Sequence, residues 1–181
     1  MLKISIPLGP EGFDEETGEF VEADSYELEL EHSLVSLSKW ESKWHKSFLD
    51  NKEMTNEEAT DYIKCMTISS DVDDSIYNRL TAENVKQIND YIAAPMTATT
   101  FSDSKSGKGG REIVTAELIY YWMIALNIPF ECQHWHLGRL LTLVRVCNIK
   151  NAPPKKRSKR DIMSQNAAIN AQRRAKLNSK G

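Results

Sequence analysis

The sequence predicts a mainly α fold of the α+β kind. It would be a helical domain with a short N-terminal antiparallel β-hairpin or sheet, ending in a basic C-terminal helical extension. Three observations predict it. Near the N-terminus apolar residues alternate with polar ones, at Leu2, Ile4 and Ile6 and again at Tyr26, Leu28 and Leu30, the period of a half-buried strand. From Ser33 the apolar spacing changes to threes and fours, the period of an amphipathic helix. Beyond Lys150 large apolar residues thin out while basic ones accumulate.

A length of 181 residues suits one domain with extensions, and 40% hydrophobic residues can supply a core that needs no disulfide or metal. The net charge of −3 conceals an asymmetry. From Lys150 onward there are ten basic residues and one acid, a net of +9, so the preceding residues carry −12. This is an acidic body with a basic arm. Cys65, Cys132 and Cys147 are odd in number and far apart, which fits a reducing cytoplasm rather than a disulfide framework. Met1–Pro7 lacks the apolar run of a secretion signal, and the apolar run 118–126 falls short of the ~20 residues that cross a bilayer. We therefore expect no membrane association and three regions: strands over 1–31, a helical body over 32–150 with a mobile loop at 95–111, and a basic arm over 151–181.

Between the two alternating stretches, Phe13 and Phe20–Val21 flank a polar hairpin loop in which Gly18 supplies a positive φ. Leu34, Leu37, Trp40 or Glu41, Trp44 and Phe48 then form one helical stripe, read as core rather than a partner-binding patch. His32 and His45 flank this helix without partners at ligand spacing and mark no site. Thr55 and Glu58 make a capping box that opens a helix presenting Ala59, Tyr62, Ile63 and Met66. Asp71–Leu80 predicts a further helix with Val72, Ile76 and Leu80 inward, and Thr81 caps another with Val85, Ile88 and Ile92 inward. Asp71, Asp73 and Asp74 do not complete a calcium loop, because Ile76 and Ala82 stand where it needs Gly and Glu. They read as acids at a helix N-terminus.

Pro95–Arg111 has linker composition, and Lys108 sits in no Walker motif. The densest apolar stretch follows, Ile113–Ile149, and predicts two helices joined at Pro129. Leu118, Tyr121 or Trp122, and Ala125 share a stripe on the first, adjoined by Ile119, Met123 and Leu126. Such an all-round apolar helix should be buried on most sides or covered by a partner. The second carries Trp135, Leu137, Leu141, Val144 and Ile149, with Gly138 mid-helix at a cost of about 1 kcal/mol against alanine, the mark of a close crossing. Cys132 and His136, four apart on one helix face, could start a zinc site. A structural site needs four ligands and no second pair exists, so packing is the expected role. No nucleophile elbow or triad is present, and no cofactor is expected.

Asn151-Ala-Pro-Pro154 stops the helix. Lys155, Lys156, Arg157, Lys159 and Arg160 form a polybasic run, and Arg173, Arg174 and Lys176 keep the far end positive. The helix formers between them, Ile162, Met163, Ala167 and Ile169 among them, have little apolar reach. Such a helix is marginal alone and should order on a partner. An enzyme would need a convergent set of reactive groups, which is missing. As a nucleic-acid binder the arm would meet phosphates, yet the acidic body repels a duplex and the arm has no aromatic for stacking. Nucleic acid is therefore an unlikely partner, and a protein-interaction role fits best.

The run Glu31-His-Ser-Leu-Val-Ser-Leu-Ser-Lys-Trp-Glu-Ser-Lys-Trp44 and the stretch Tyr120–Asn151 resemble a group of tailed-bacteriophage tail-module proteins, the tail assembly chaperones. The ending Arg173 to Gly181 is similar to that group's as well, so the resemblance covers most of the chain. It implies a non-enzymatic protein of the host bacterial cytoplasm that coats the tape-measure protein until tail-tube subunits displace it. It also implies other phage tail proteins as partners, self-association into a homo-oligomer, and in many members a frameshift-extended second form. No catalytic residues carry over. Under this reading apolar helix surface near Trp122 and Trp135 holds tape-measure helices. The basic side chains Lys155, Lys156, Arg157, Lys159, Arg160, Arg173, Arg174 and Lys176 meet acidic surface. A structural component of the virion (neck, tail or baseplate) is the alternative, and a nucleic-acid-binding accessory protein a further one.

Overall fold

A computed structural model describes residues 1–9, 12–14, 19–21, 24–51, 53–101, 113–153 and 159–177. The chain is mostly helical with short antiparallel strands at its N-terminus, as expected. Strand β1 (Leu2–Pro7) pairs with β4 (Ser25–Leu30), placing Ile4 opposite Leu28. Strand β2 (Gly12–Asp14) pairs with β3 (Glu19–Val21), placing Phe13 opposite Phe20. The Gly18 turn falls outside the described residues. The period of two sorts the longer pair cleanly: Ile4, Ile6, Leu28 and Leu30 are buried, while Lys3 bridges Glu27 and Glu29 on the other face. The far side of β4 is also paired, since Ile68 donates its amide to the Glu29 carbonyl and Glu31 donates to Met66.

Helix α1 (Leu34–Trp44) opens on a reciprocal cap between Ser33 and Ser36 and buries Leu34, Leu37 and Trp40. Its aromatic stripe is core: Trp40 is fully buried and its Nε1 donates to the Glu58 carbonyl at 2.9 Å. Helix α2 (Asn56–Met66) has the Thr55–Glu58 capping box, but its inner face differs from the expected one. Ala59 is exposed and Glu58 is buried instead, because the Glu58 carboxylate accepts the Thr55 amide and pairs with Lys46.

Asp71–Leu80 is not one helix. Only Asp74–Tyr77 (α3) is helical, capped by Asp73 through the Ser75 amide at 2.8 Å. Asp71 lies before it with a left-handed φ of 57°, which a short aspartate side chain tolerates. Helix α4 (Ala82–Ala93) is capped by Thr81. Its stripe is turned by one residue from the expected face: Asn84, Ile88 and Tyr91 are buried, and Val85 is 40% exposed. Asn84 is drawn inward because its Nδ2 donates to the Ser5 carbonyl at 3.0 Å, which satisfies an amide that burial would otherwise penalise.

Two hydrophobic cores result. The first joins the β1–β4 sheet, Trp40, and the inner faces of α2, α3 and α4. The second joins Leu34 and Leu37 to α5 (Ala116–Ala125), Ile128, Cys132 and the inner face of α6 (Leu137–Asn151). Pro129 does not lead into one long helix. A 3₁₀ helix (Phe130–His134) and an extended Trp135 intervene before α6. Cys132 and His136 therefore share no α-helical face. Gly138 sits in the first turn of α6 rather than mid-helix, and a Cβ there would meet the carbonyl oxygens of Ala94 and Pro95 at 3.4 Å. The close approach is to the chain leaving α4.

The chain divides into two compact units, Met1–Asn148 and Ile149–Gly181. The second contains α7 (Lys159–Leu177). No described helix is long and apolar enough to cross a membrane.

Candidate interaction surface

Helix α5 is held at its start by two acceptors, one from its own N-cap residue and one from α1. The Thr115 side chain caps the Leu118 amide, and the buried Glu41 carboxylate accepts the Ala116 amide at 2.7 Å. Ala116, Ile119 and Met123 form the inner ridge. The outer ridge is Tyr121 and Ile124, 63% and 61% exposed. The near-complete burial expected of this helix is thus not observed: one side packs and the other faces out.

At Asn127 the chain turns through a left-handed φ of 52°, Ile128 is buried, and Pro129 starts the 3₁₀ helix. Phe130 is left 52% exposed, its ring stacked on Tyr120 with centroids 6.4 Å apart. Tyr120 is fixed in turn, since its hydroxyl donates to Gln133 Oε1 at 2.9 Å. Tyr120 and Ile124 are four apart and neighbours on the helix surface. An outward apolar surface of Tyr121, Ile124 and Phe130 therefore stands on a backing that is packed and hydrogen-bonded. Grouped exposed apolar side chains of this kind mark binding surfaces more than scattered ones do, and exposed aromatics are favoured interface anchors.

The sequence-predicted residues sit behind or apart from this surface. Trp122 and Trp135 are half-buried against the second core, and the Arg139 guanidinium lies 4.1 Å over the Trp135 ring. The sequence pattern points to the tryptophans and gives Ile124 and Phe130 no role in the surface. A signal was present: Glu117 shares a face with Tyr121 and Ile124, and an acid on an otherwise apolar helix points to its solvent side.

Lys155, Lys156 and Arg157 lie outside the described residues. Lys159 and Arg160 open α7, and Arg160, Arg173, Arg174 and Lys176 are exposed. Met163, Asn166, Asn170 and Arg174 recur at spacings of three and four, so they share one face of α7. Met163 and Leu177 are 72% and 76% exposed, so the helix buries little of its own apolar surface.

A hollow of about 450 Å³ lies beside α1, the end of α2 and the 3₁₀ helix, lined in part by Lys39, Cys65 and His134. Burial and then Asp61 push the Cys65 thiol above its ordinary range, which lowers its thiolate fraction and its nucleophilicity. Among the described residues no group of three His, Cys, Asp or Glu side chains is placed to hold a metal ion. Both ring nitrogens of His136 are already engaged, one with the Tyr91 carbonyl and one with the Gly138 amide. Comparison with protein-family models, curated proteins and solved structures finds no match to this chain.

Proposed function

We propose that this chain is a non-enzymatic tail assembly chaperone of a tailed bacteriophage, acting in the host bacterial cytoplasm by holding helical segments of the tape-measure protein. The observation that carries the reading is the exposed apolar surface of Tyr121, Ile124 and Phe130, which lies inside the Tyr120–Asn151 stretch of the tail-chaperone resemblance. A groove or ridge of this type takes the apolar face of an amphipathic helix. The exposed bases of α7 supply a second, electrostatic contact to acidic surface on the tape measure or on a neighbouring copy.

Co-expression with tape-measure fragments tests this. The fragments should stay soluble and co-purify with the chain, and Tyr121→Ser with Ile124→Ser should abolish capture. Capture unchanged in that double variant discards the surface, and capture unchanged after deletion of residues 150–181 discards the arm. The alternative, a structural component of the virion, predicts the chain in purified particles, whereas the chaperone is absent from them. Uniform, salt-sensitive DNA binding would favour the nucleic-acid reading.

A further inference from the structure

The two cores meet at a pair of buried histidines. His32, between β4 and α1, is 4% exposed, and His136, between the 3₁₀ helix and α6, is 6% exposed. Their rings touch edge-on, with centroids 5.1 Å apart. The backbone joins there too: Ser33 and His136 form an isolated bridge, and the Leu137 amide donates to the His32 carbonyl at 2.7 Å. Residues from three other segments close around the pair. The Tyr62 hydroxyl of α2 is 2.6 Å from His32 Nδ1, the Phe48 ring lies 6.3 Å away, and the Tyr91 ring of α4 packs edge-on to His136 at 4.9 Å.

The hydrogen bonds of His136 specify its protonation. Nε2 faces the Tyr91 carbonyl at 3.0 Å and must donate. Nδ1 faces the Gly138 amide at 3.2 Å and must accept. The ring is therefore neutral, with its proton on Nε2. Adding a second proton would set an N–H against the first-turn amide of α6. Two imidazoles in contact inside an apolar shell also cannot both be charged without a large desolvation cost.

The charged groups packed around the pair do not offset that cost. Glu31, beside His32, takes the Tyr91 hydroxyl and the N-terminal amine. Glu41 on α1 takes the Phe48 and Ala116 amides. Glu58 on α2 takes Lys46 and the Thr55 amide. Arg139 on α6 lies over Trp135. Among the described residues no carboxylate is bonded to either imidazole.

We propose that the His32–His136 contact is an acid-sensitive clasp: neutral, it locks the start of α6 to the sheet-bearing core, and proton uptake releases that start while each core stays packed. Burial holds His32 down to about 4, which agrees with a ring that resists protonation as long as the clasp is closed. Release would loosen the chain that carries Trp135 and follows Phe130, and so couple acidity to the apolar surface. The inference does not depend on which partner binds there.

Amide hydrogen exchange of the full chain, read by NMR from pH 7.5 to pH 4.5 and corrected for intrinsic rates, tests it. The amides of Leu137 and Gly138 should lose protection by about tenfold per pH unit below pH 6.5, the linkage slope of one proton. Ile63 in α2 and Ile88 in α4 should remain better protected than Leu137 and Gly138 at every pH, because each core stays packed when the clasp opens. His136→Asn retains an acceptor for the Gly138 amide without a titrating group and should flatten the profile, as should His32→Gln. Protection that is constant in the wild type overturns the clasp. So does protection of Ile63 and Ile88 that falls to the level of Leu137 and Gly138, or loss undiminished in both variants. If neither variant folds at pH 7.5, the wild-type imidazole resonances decide, since titration near pH 6.5 with Leu137 and Gly138 still protected also overturns it.

Discussion

Glu41 fastens Ala116 across 75 residues of sequence: its Oε2 accepts the Ala116 amide at 2.7 Å, while Oε1 accepts the Phe48 amide at 2.9 Å. One buried carboxylate thereby fixes both the chain leaving α1 and the first turn of α5. The first-turn amides of a helix lack intrahelical partners and sit at its positive end, so an anion is a favourable acceptor there.

Glu41→Ala should lower stability by about 3 kcal/mol, since two amides lose charge-assisted bonds in a dry setting. Urea denaturation would show it as a lower midpoint. Glu41→Gln should cost less, because one carbonyl oxygen remains to accept.

Gly138→Val should destabilise by about 2 kcal/mol, although valine is the better helix former. An added Cβ alone meets His136 Nδ1 at 3.3 Å and two backbone carbonyl oxygens at 3.4 Å, and branched methyls would force the α4 exit away. Thermal denaturation should show the loss, with far-UV helicity retained at low temperature.

Tyr121→Ser with Ile124→Ser should leave stability within about 0.5 kcal/mol of wild type, the range of exposed substitutions. Its expected effect is on tape-measure capture alone. A fall in melting temperature comparable to that of a core variant would instead place these side chains in the protein's own packing.

Stability should depend on pH through His32. Its folded value of about 4 lies below the ordinary histidine value near 6.5, so the folded state prefers the neutral ring. The associated stability is fully present above pH 6.5 and is lost as pH falls toward 4, by about 3 kcal/mol in all. Urea midpoints measured across that window should fall with acid in the wild type and fall less in His32→Gln.

Much of the local structure was legible. The alternation at Ile4, Ile6, Leu28 and Leu30 was enough for the strands, and the Thr55–Glu58 pair and Thr81 for two helix starts, because pleat, helical period and capping act among residues within four of each other. Trp40 is core for the same reason. The opposite charges of body and arm are likewise read directly from the chain.

The departures share a physical cause. Glu58 displaced Ala59 from the inner face because Lys46 and the Thr55 amide reach it, and Asn84 displaced Val85 because the Ser5 carbonyl lies 79 residues away in sequence and within 3.0 Å in space. The outward turn of Tyr121 and Ile124 followed from which side of α5 the second core occupies.

Composition and short-range pattern by themselves determined that this chain makes strands, then capped amphipathic helices, then a basic helix. Only the tertiary structure decided which polar side chains go inside and where His32 meets His136. Burying a polar group is favourable only when distant chain brings the partner that satisfies it, and that pairing is written in no single stretch of sequence.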